Sequence, residues 1–421
     1  MFIIKNFHFR YIKTALYGLL SVALIVMLIV IAVVNLTPDK QYAETSSPTP
    51  TSNIQGNNSN KVKIQLAGDV VLNSTLLLSN SNAYGEYDFD NIFSQINKMI
   101  DGDLAIFNME GVVDAFKDGS QIAGAPVFNY PKEIAASLKK IGFNFCVTAN
   151  DRASYFSDAG IRNNYENIQN AGLVPVGTSV EGQKNYVIRE INGIRIAVLA
   201  YTDKLSNFDN IDTNRISTVN LDDVEGAMDI ISADVNDVKN QGAEIVVASM
   251  HWGEEMALEP TDRQRALAEK IVKCGVDVIY GTRAHIFQPI SYKSIVDDNN
   301  QSKNVLIAYS MGNFLSHPTV TSGQTSQQSA VLNIYVERDQ SGKAYISSAE
   351  CEAIYIYAYQ TKNSDSNYIY RVVPAYSNAK AEEKPEIFLN ETDWKYCKDA
   401  YEHIKSVVDK SSESGMPLGL K

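Results

Sequence analysis

From Val62 onward, short apolar runs alternate with amphipathic stretches, and each apolar run breaks off in polar residues. KVKIQLAGD, DLAIFNMEG, FNFCVTAND, RIAVLAYTD, AEIVVASMHWG, VDVIYGTRAH and NVLIAYSMGNF each read as a buried strand. Between them the 3.6-residue period predicts helices in PKEIAASLKKIG, with Pro at its first helical position, at 158–171, 222–239 and 261–274. Further on, 330–336 and 344–357 predict paired strands, 393–408 a terminal helix, and the tyrosines of 355–376 a half-exposed β surface. Strand–helix alternation of this kind indicates an α/β architecture.

The N-terminal pattern is different. Leu16 to Leu36 carry no charge, and about 20 apolar residues span a bilayer core of roughly 30 Å. Lys5, Arg10 and Lys13 precede the run, which orients residues 1–14 to the cytoplasm. The run exceeds the h-region of a signal peptide and no small-x-small cleavage site follows, so 15–36 is expected to be an uncleaved transmembrane anchor. Residues 37–61, rich in Ser, Thr, Pro, Asn and Gly, are expected to form a flexible stalk. The expected organisation continues with a main domain at 62–320 and strands plus a helix at 321–421 that complete or extend it. The chain is thus expected in the cell membrane, single-pass, with its C-terminal domain outside the cytoplasm.

Charge narrows the partners. With 37 basic against 49 acidic residues the net charge is −12, and no basic stripe interleaved with aromatics follows the anchor. Nucleic acid is excluded as an expected partner. The four cysteines, Cys146, Cys274, Cys351 and Cys397, lie far apart without a CxxC pair, which argues against a disulfide scaffold or zinc ribbon. Pairing of Cys351 with Cys397 stays open.

The polar strand ends hold the candidate chemistry: Asp69, Glu110, Asn150, Asp151, Arg152, His251, Arg283, His285 and Asn313. Ligand sites of α/β sheets gather at the carboxyl ends of strands. Asp, Glu and His are the donors that metal-dependent hydrolases use. Two of only five histidines stand at such ends. Tyr201-Thr202 is a further pocket candidate, whereas His317 and His403 lack a motif.

In order and spacing, AGDVVL, FNMEG, VTAND, HWGEE, GTRAHIFQPI and YSMGNF resemble the CapA/PgsA family of bacterial capsule (poly-γ-glutamate) synthesis proteins, of the calcineurin-like metallophosphatase superfamily. The resemblance covers roughly 63–314. It implies a β-sandwich flanked by helices, with the site at one end of the sandwich, and a role in synthesis, assembly or export of a surface polymer. Other capsule-synthesis membrane proteins and an anionic polymer are the partners it suggests. Against the family's pattern, Asp151 and Arg152 stand where Asn and His are usual, and Thr282 and Arg283 where two histidines are usual. Arg neither ligates a metal nor releases a proton near neutrality. Asp69, Glu110, Asp151, His251 and His285 remain as metal ligands, for one divalent ion or none. Three readings stay open: a metal-dependent hydrolase of phosphate esters or peptide-like bonds; a non-catalytic module in which Arg152 and Arg283 bind anions; and a pocket whose arginines merely neutralise its acids.

Overall fold

The computed structural model describes residues 61–180, 184–206, 211–318, 324–361, 367–413 and 415–421. The expected anchor, and the stalk up to residue 60, lie outside them. Among the described residues no helix is long and apolar enough to cross a membrane.

Two mixed sheets dominate. In the larger, Lys61–Val70, Leu104–Met109, Phe145–Val147 and Val174–Val176 run parallel in that order. On the other side of Lys61–Val70 three antiparallel strands follow, Gln328–Arg338, Ala344–Gln360 and Tyr368–Pro374, the last forming the sheet's edge. In the smaller sheet Ile194–Thr202, Ile245–His251, Val278–Thr282 and Ser302–Ala308 are parallel. Antiparallel Val187–Ile191 and Ile290–Val296 flank that parallel set.

Burial explains the layering. Alternate residues of the central strands, such as Ile64 and Leu66 from one sheet and Val198, Val247 and Tyr280 from the other, share one core between the sheets. The opposite face of the larger sheet packs on the helix Lys132–Lys140 through Ile134 and Leu138. The opposite face of the smaller one packs on Val224–Asn240 and Asp262–Lys273 through Ile231, Val235, Leu267 and Ile271. The result is a helix–sheet–sheet–helix stack. The terminal helix Glu391–Glu413 adds Trp394, Tyr401 and Ile404 to the central core.

Several expectations change in detail. The run NVLIAYSMGNF is two strands, Ser302–Ala308 in the smaller sheet and Asn313–Leu315 beside Lys61–Val70 in the larger. The chain crosses between sheets at 309–312, where Gly312 takes a left-handed φ of 65°. Pro131 caps its helix from extended backbone (φ −69°, ψ 146°) instead of occupying the first turn. Of the tyrosines at 355–376, Tyr355 and Tyr357 are buried beneath the last helix and the segment before it, and Tyr370 is buried on the other face against the core that holds Leu76 and Phe89. Tyr359 and Tyr368 are half-buried and Tyr376 is exposed. Cys351 and Cys397 are both buried free thiols.

Candidate metal-binding site

The pocket forms where the carboxyl ends of both sheets meet. Asp69 comes from a strand whose register shifts between Leu66 and Asp69. Gly68 allows this: a Cβ there would lie 2.1 Å from the Gly312 carbonyl oxygen, which instead accepts the Asp69 N–H at 2.8 Å. Glu110 follows Leu104–Met109, and its backbone is held by its own N–H to Val70 O (3.1 Å) and by the Tyr130 hydroxyl donating to its carbonyl (2.7 Å). His251 closes its strand, and Arg283 and His285 follow Val278–Thr282 on left-handed backbone, φ 89° and 58°. For non-glycine residues that conformation costs energy and clusters at functional sites.

These side chains converge. Ligand atoms of Asp69, Glu110 and His285 lie within 4.8 Å of one another, as do those of Glu110, Asp151 and His251. Glu110 belongs to both groups. All five residues are buried, and Glu110 Oε2 has no hydrogen-bond partner among the described residues. An orphaned carboxylate oxygen facing imidazole is the donor chemistry a divalent cation satisfies, so the residues fit such an ion. When bound, the ion would supply Lewis acidity and a water acidified toward neutrality.

Hydrogen bonds fix the imidazoles. Asn313 Nδ2 donates to Ser316 Oγ (2.9 Å) and Ser326 O (3.2 Å), so its Oδ1 must accept from His285 Nδ1 at 3.0 Å. That leaves His285 Nε2 turned toward Glu110 Oε2, 3.7 Å away. His251 Nδ1 lies 3.0 Å from Thr282 Oγ1, and its Nε2 3.1 Å from Asp151 Oδ1. Asn108 donates to Asp69 Oδ1 at 2.7 Å. Asn150 Nδ2 donates to Met109 O (2.7 Å) and Asn108 Oδ1 (3.2 Å), and its Oδ1 accepts the Arg152 N–H (3.2 Å), which braces the floor of the pocket.

Electrostatics follow from three buried carboxylates in one space. Burial, with Asp151 and Asp69 nearby, pushes Glu110 up to about 7 against the pull of both histidines. Burial would lower His285, but Glu110 and the bond to Asp69 outweigh it and raise it to about 10. Asp151 is held below the usual carboxylate range: burial is outweighed by the His251 hydrogen bond and by the charges of His251, Arg152 and Arg283.

The two arginines behave differently. Arg152 stacks on Phe128, 4.4 Å from its ring centre, and donates to Ser206 Oγ at 3.0 Å. From there it faces Asp151 at 3.4 Å, Glu110 at 3.7 Å and Glu255 at 3.9 Å. Arg283 gives only its main-chain N–H to Asp69 Oδ2 (3.1 Å), while its guanidinium turns away to Asp203 at 2.9 Å. Its charge is therefore met by a partner that the sequence reading did not single out. Asp203 ends RIAVLAYTD just as Asp69 ends KVKIQLAGD, and that parallel was the available signal. Tyr201 does not line the pocket; it points to the helix side and donates to Asp234 at 2.9 Å. His317 belongs to neither ligand group and bonds Tyr370 Oη at 2.7 Å.

Residues 63–318 match the family described as bacterial capsule synthesis protein PGA_cap. The chain belongs to that family. Among its curated relatives is a capsule biosynthesis protein CapA from Bacillus anthracis, 28% identical over 210 residues, which are 49% of this chain and 47% of that protein. The PGA biosynthesis protein CapA of Bacillus subtilis (strain 168) is 26% identical over 258 residues, 60% of this chain and 63% of the relative. The chain thus spans about half to under two thirds of these PGA_cap relatives. Solved structures similar to it include a Haemophilus influenzae NAD nucleotidase (13% identity, TM-score 0.37, 86% of this chain and 57% of that one). Another is the calcineurin-like phosphoesterase YfkN from Bacillus subtilis (11%, TM-score 0.38, 82% and 99%). Likeness at that level carries no argument about the site.

Proposed function

We propose that this PGA_cap protein is a membrane-tethered, extracytoplasmic component in the synthesis, assembly or export of a surface polymer, with a pocket reduced to one divalent ion. The observation that carries it is the position of Arg152. Its guanidinium lies against Asp151 and Glu110, two of the three ligands of the Glu110–Asp151–His251 group. A fixed cation there opposes a divalent ion: at about 4 Å and an effective dielectric of ~20, unit like charges repel by about 4 kcal/mol, and a doubly charged ion doubles this. The Asp69–Glu110–His285 group keeps its donors, and its histidine is oriented by Asn313.

Arg152 also keeps binding capacity. Its Nε is buried without a hydrogen-bond partner among the described residues, and none of its ion pairs is closer than 3.4 Å. A carboxylate of an anionic polymer such as poly-γ-glutamate would satisfy it. Titration with poly-γ-glutamate oligomers should show saturable binding that weakens at least about tenfold in Arg152→Met. Equal binding by both chains removes Arg152 from the reading.

Topology has its own support: the uncharged run at 16–36 and the basic residues before it. Protease added to intact protoplasts is expected to remove the domain and leave a short membrane-bound fragment. Protection of the whole domain would invert the orientation.

One observation favours a second reading, an active metal-dependent hydrolase of phosphate esters or peptide-like bonds. Two ligand groups sharing one carboxylate is a layout suited to two ions. Ion stoichiometry separates the two readings.

A further inference from the structure

At the edge of the larger sheet, the strand Tyr368–Pro374 has a strand neighbour on one side only. The Tyr368 N–H donates to Ser79 Oγ at 2.9 Å, so the main-chain groups of this residue face outward. By the two-residue period those of Tyr370 face outward too. Arg371 reaches round this edge and donates to the Tyr370 carbonyl at 2.6 Å. Side chains thus take two of the outward groups, the Tyr368 N–H and the Tyr370 carbonyl, which a peptide strand adding here would need.

What remains between this edge and the segment 79–91 is a cavity of about 560 Å³, a size that suits small ligands, which take ~300–1,000 Å³. Its aromatic walls are fixed. Tyr87 stacks on Phe89 with ring centres 6.2 Å apart, and Tyr368 on Tyr370 at 5.8 Å, with His317 edge-on to Tyr368 at 4.9 Å. Neither the Tyr87 nor the Tyr368 hydroxyl has a hydrogen-bond partner among the described residues. Arg371, half-buried, has no carboxylate within ion-pairing distance among the described residues, so most of its donors are unspent. Glu86 and Asp88 supply acceptors, and each uses one oxygen to anchor its own loop.

Two carboxylates against one guanidinium leave the cavity slightly negative, which disfavours an anionic polymer. Rigid aromatic faces combined with both unspent donors and unspent acceptors suit a ligand that is polyhydroxylic and carries an apolar C–H face. We infer that this edge cavity is a binding site for a neutral glycan, separate from the metal pocket. Ring faces of the sugar lie on Tyr87 and Tyr368. Its hydroxyls accept from Arg371 and donate to Asp88 and Glu86.

The test is calorimetric titration of the full chain, kept in a detergent without a sugar headgroup, with maltohexaose and with chitotetraose. At least one is expected to bind saturably. Arg371→Met and Tyr87→Ala, checked for an unchanged unfolding midpoint, should each weaken that binding by about tenfold. Glu110→Gln, which alters only the metal pocket, should leave sugar binding as it is, so this inference can fail or succeed independently of the metal reading. Absence of saturable binding to both sugars overturns the proposal, as does equal binding by the chain and both edge variants. Displacement of the sugar by an unrelated extended peptide would also overturn it, by showing that the edge receives a strand after all.

Discussion

Glu110→Ala is expected to abolish divalent-ion uptake, while Asp151→Ala leaves one ion bound. Glu110 is the single side chain common to both ligand groups, and its Oε2 is buried without a hydrogen-bond partner among the described residues. Asp151 belongs only to the group that Arg152 opposes. Metal analysis of the purified chains, loaded with Mn²⁺ or Zn²⁺ and desalted, reads the stoichiometry directly. A pH signature accompanies it. Glu110, raised to about 7, and His285, raised to about 10, hold protons near neutrality that an ion must displace. Raising the pH makes both protons cheaper to displace, so apparent affinity should climb between pH 6 and 8, by about tenfold per pH unit for His285 throughout and by a further contribution from Glu110 below about 7. Titrations at pH 7.5 in buffers of differing ionisation enthalpy should register the released proton. Two tightly held ions in the unmodified chain, with turnover of generic phosphodiesters, would sink the one-ion reading and put hydrolysis first.

Removal of the Arg283 side chain should cost about 3–5 kcal/mol of folding stability, because it strands Asp203 as a lone buried charge. The pair is 2.9 Å long with side-chain exposures of 11% and 4%. Urea unfolding of Arg283→Met measures the loss, and adding Asp203→Asn to the same chain should recover most of it. The pH dependence has a definite sign. Burial already raises the Asp203 carboxyl, with Arg283 the first of the charges that oppose this. Without the guanidinium the folded-state value climbs further. The deficit is then complete above that value and shrinks as falling pH protonates the acid. A loss below about 1 kcal/mol, typical of an exposed pair, would show that Arg283 is not held as described and is available to a ligand.

The residues that the sequence reading placed at strand ends do meet in one pocket, and the reason is topological. Parallel strands that alternate with helices send their carboxyl ends to the same side, so Asp69, Glu110, Asp151, His251 and His285 become neighbours once two such sheets stack. What sequence does not disclose is direction. Thr282 and Arg283 read as replacements inside a ligand motif, yet the left-handed backbone at 283 lets the main chain serve Asp69 while the side chain leaves for Asp203. Local periodicity also misses sheet exchange: NVLIAYSMGNF reads as one strand because the turn at 309–312 is built from a buried tyrosine, a serine, a methionine and a single glycine. The same limit hid Asp203, whose importance depends on Ile194–Thr202 lying two places from Val278–Thr282 in the smaller sheet, across Ile245–His251.

The seam between the sheets gives Arg152 a further significance. The larger sheet brings Asp69, Glu110 and Asp151 to this end of the sandwich, and the smaller brings His251 and His285. In metal-dependent folds the ligands wait for their ion, and without it the structure does not close. Here a guanidinium anchored on Phe128 and Ser206 stands permanently beside two of the acids. It is a counter-ion carried in the polypeptide itself. The domain can therefore complete its fold before any cation arrives, and assembly of the scaffold is uncoupled from the supply of metal.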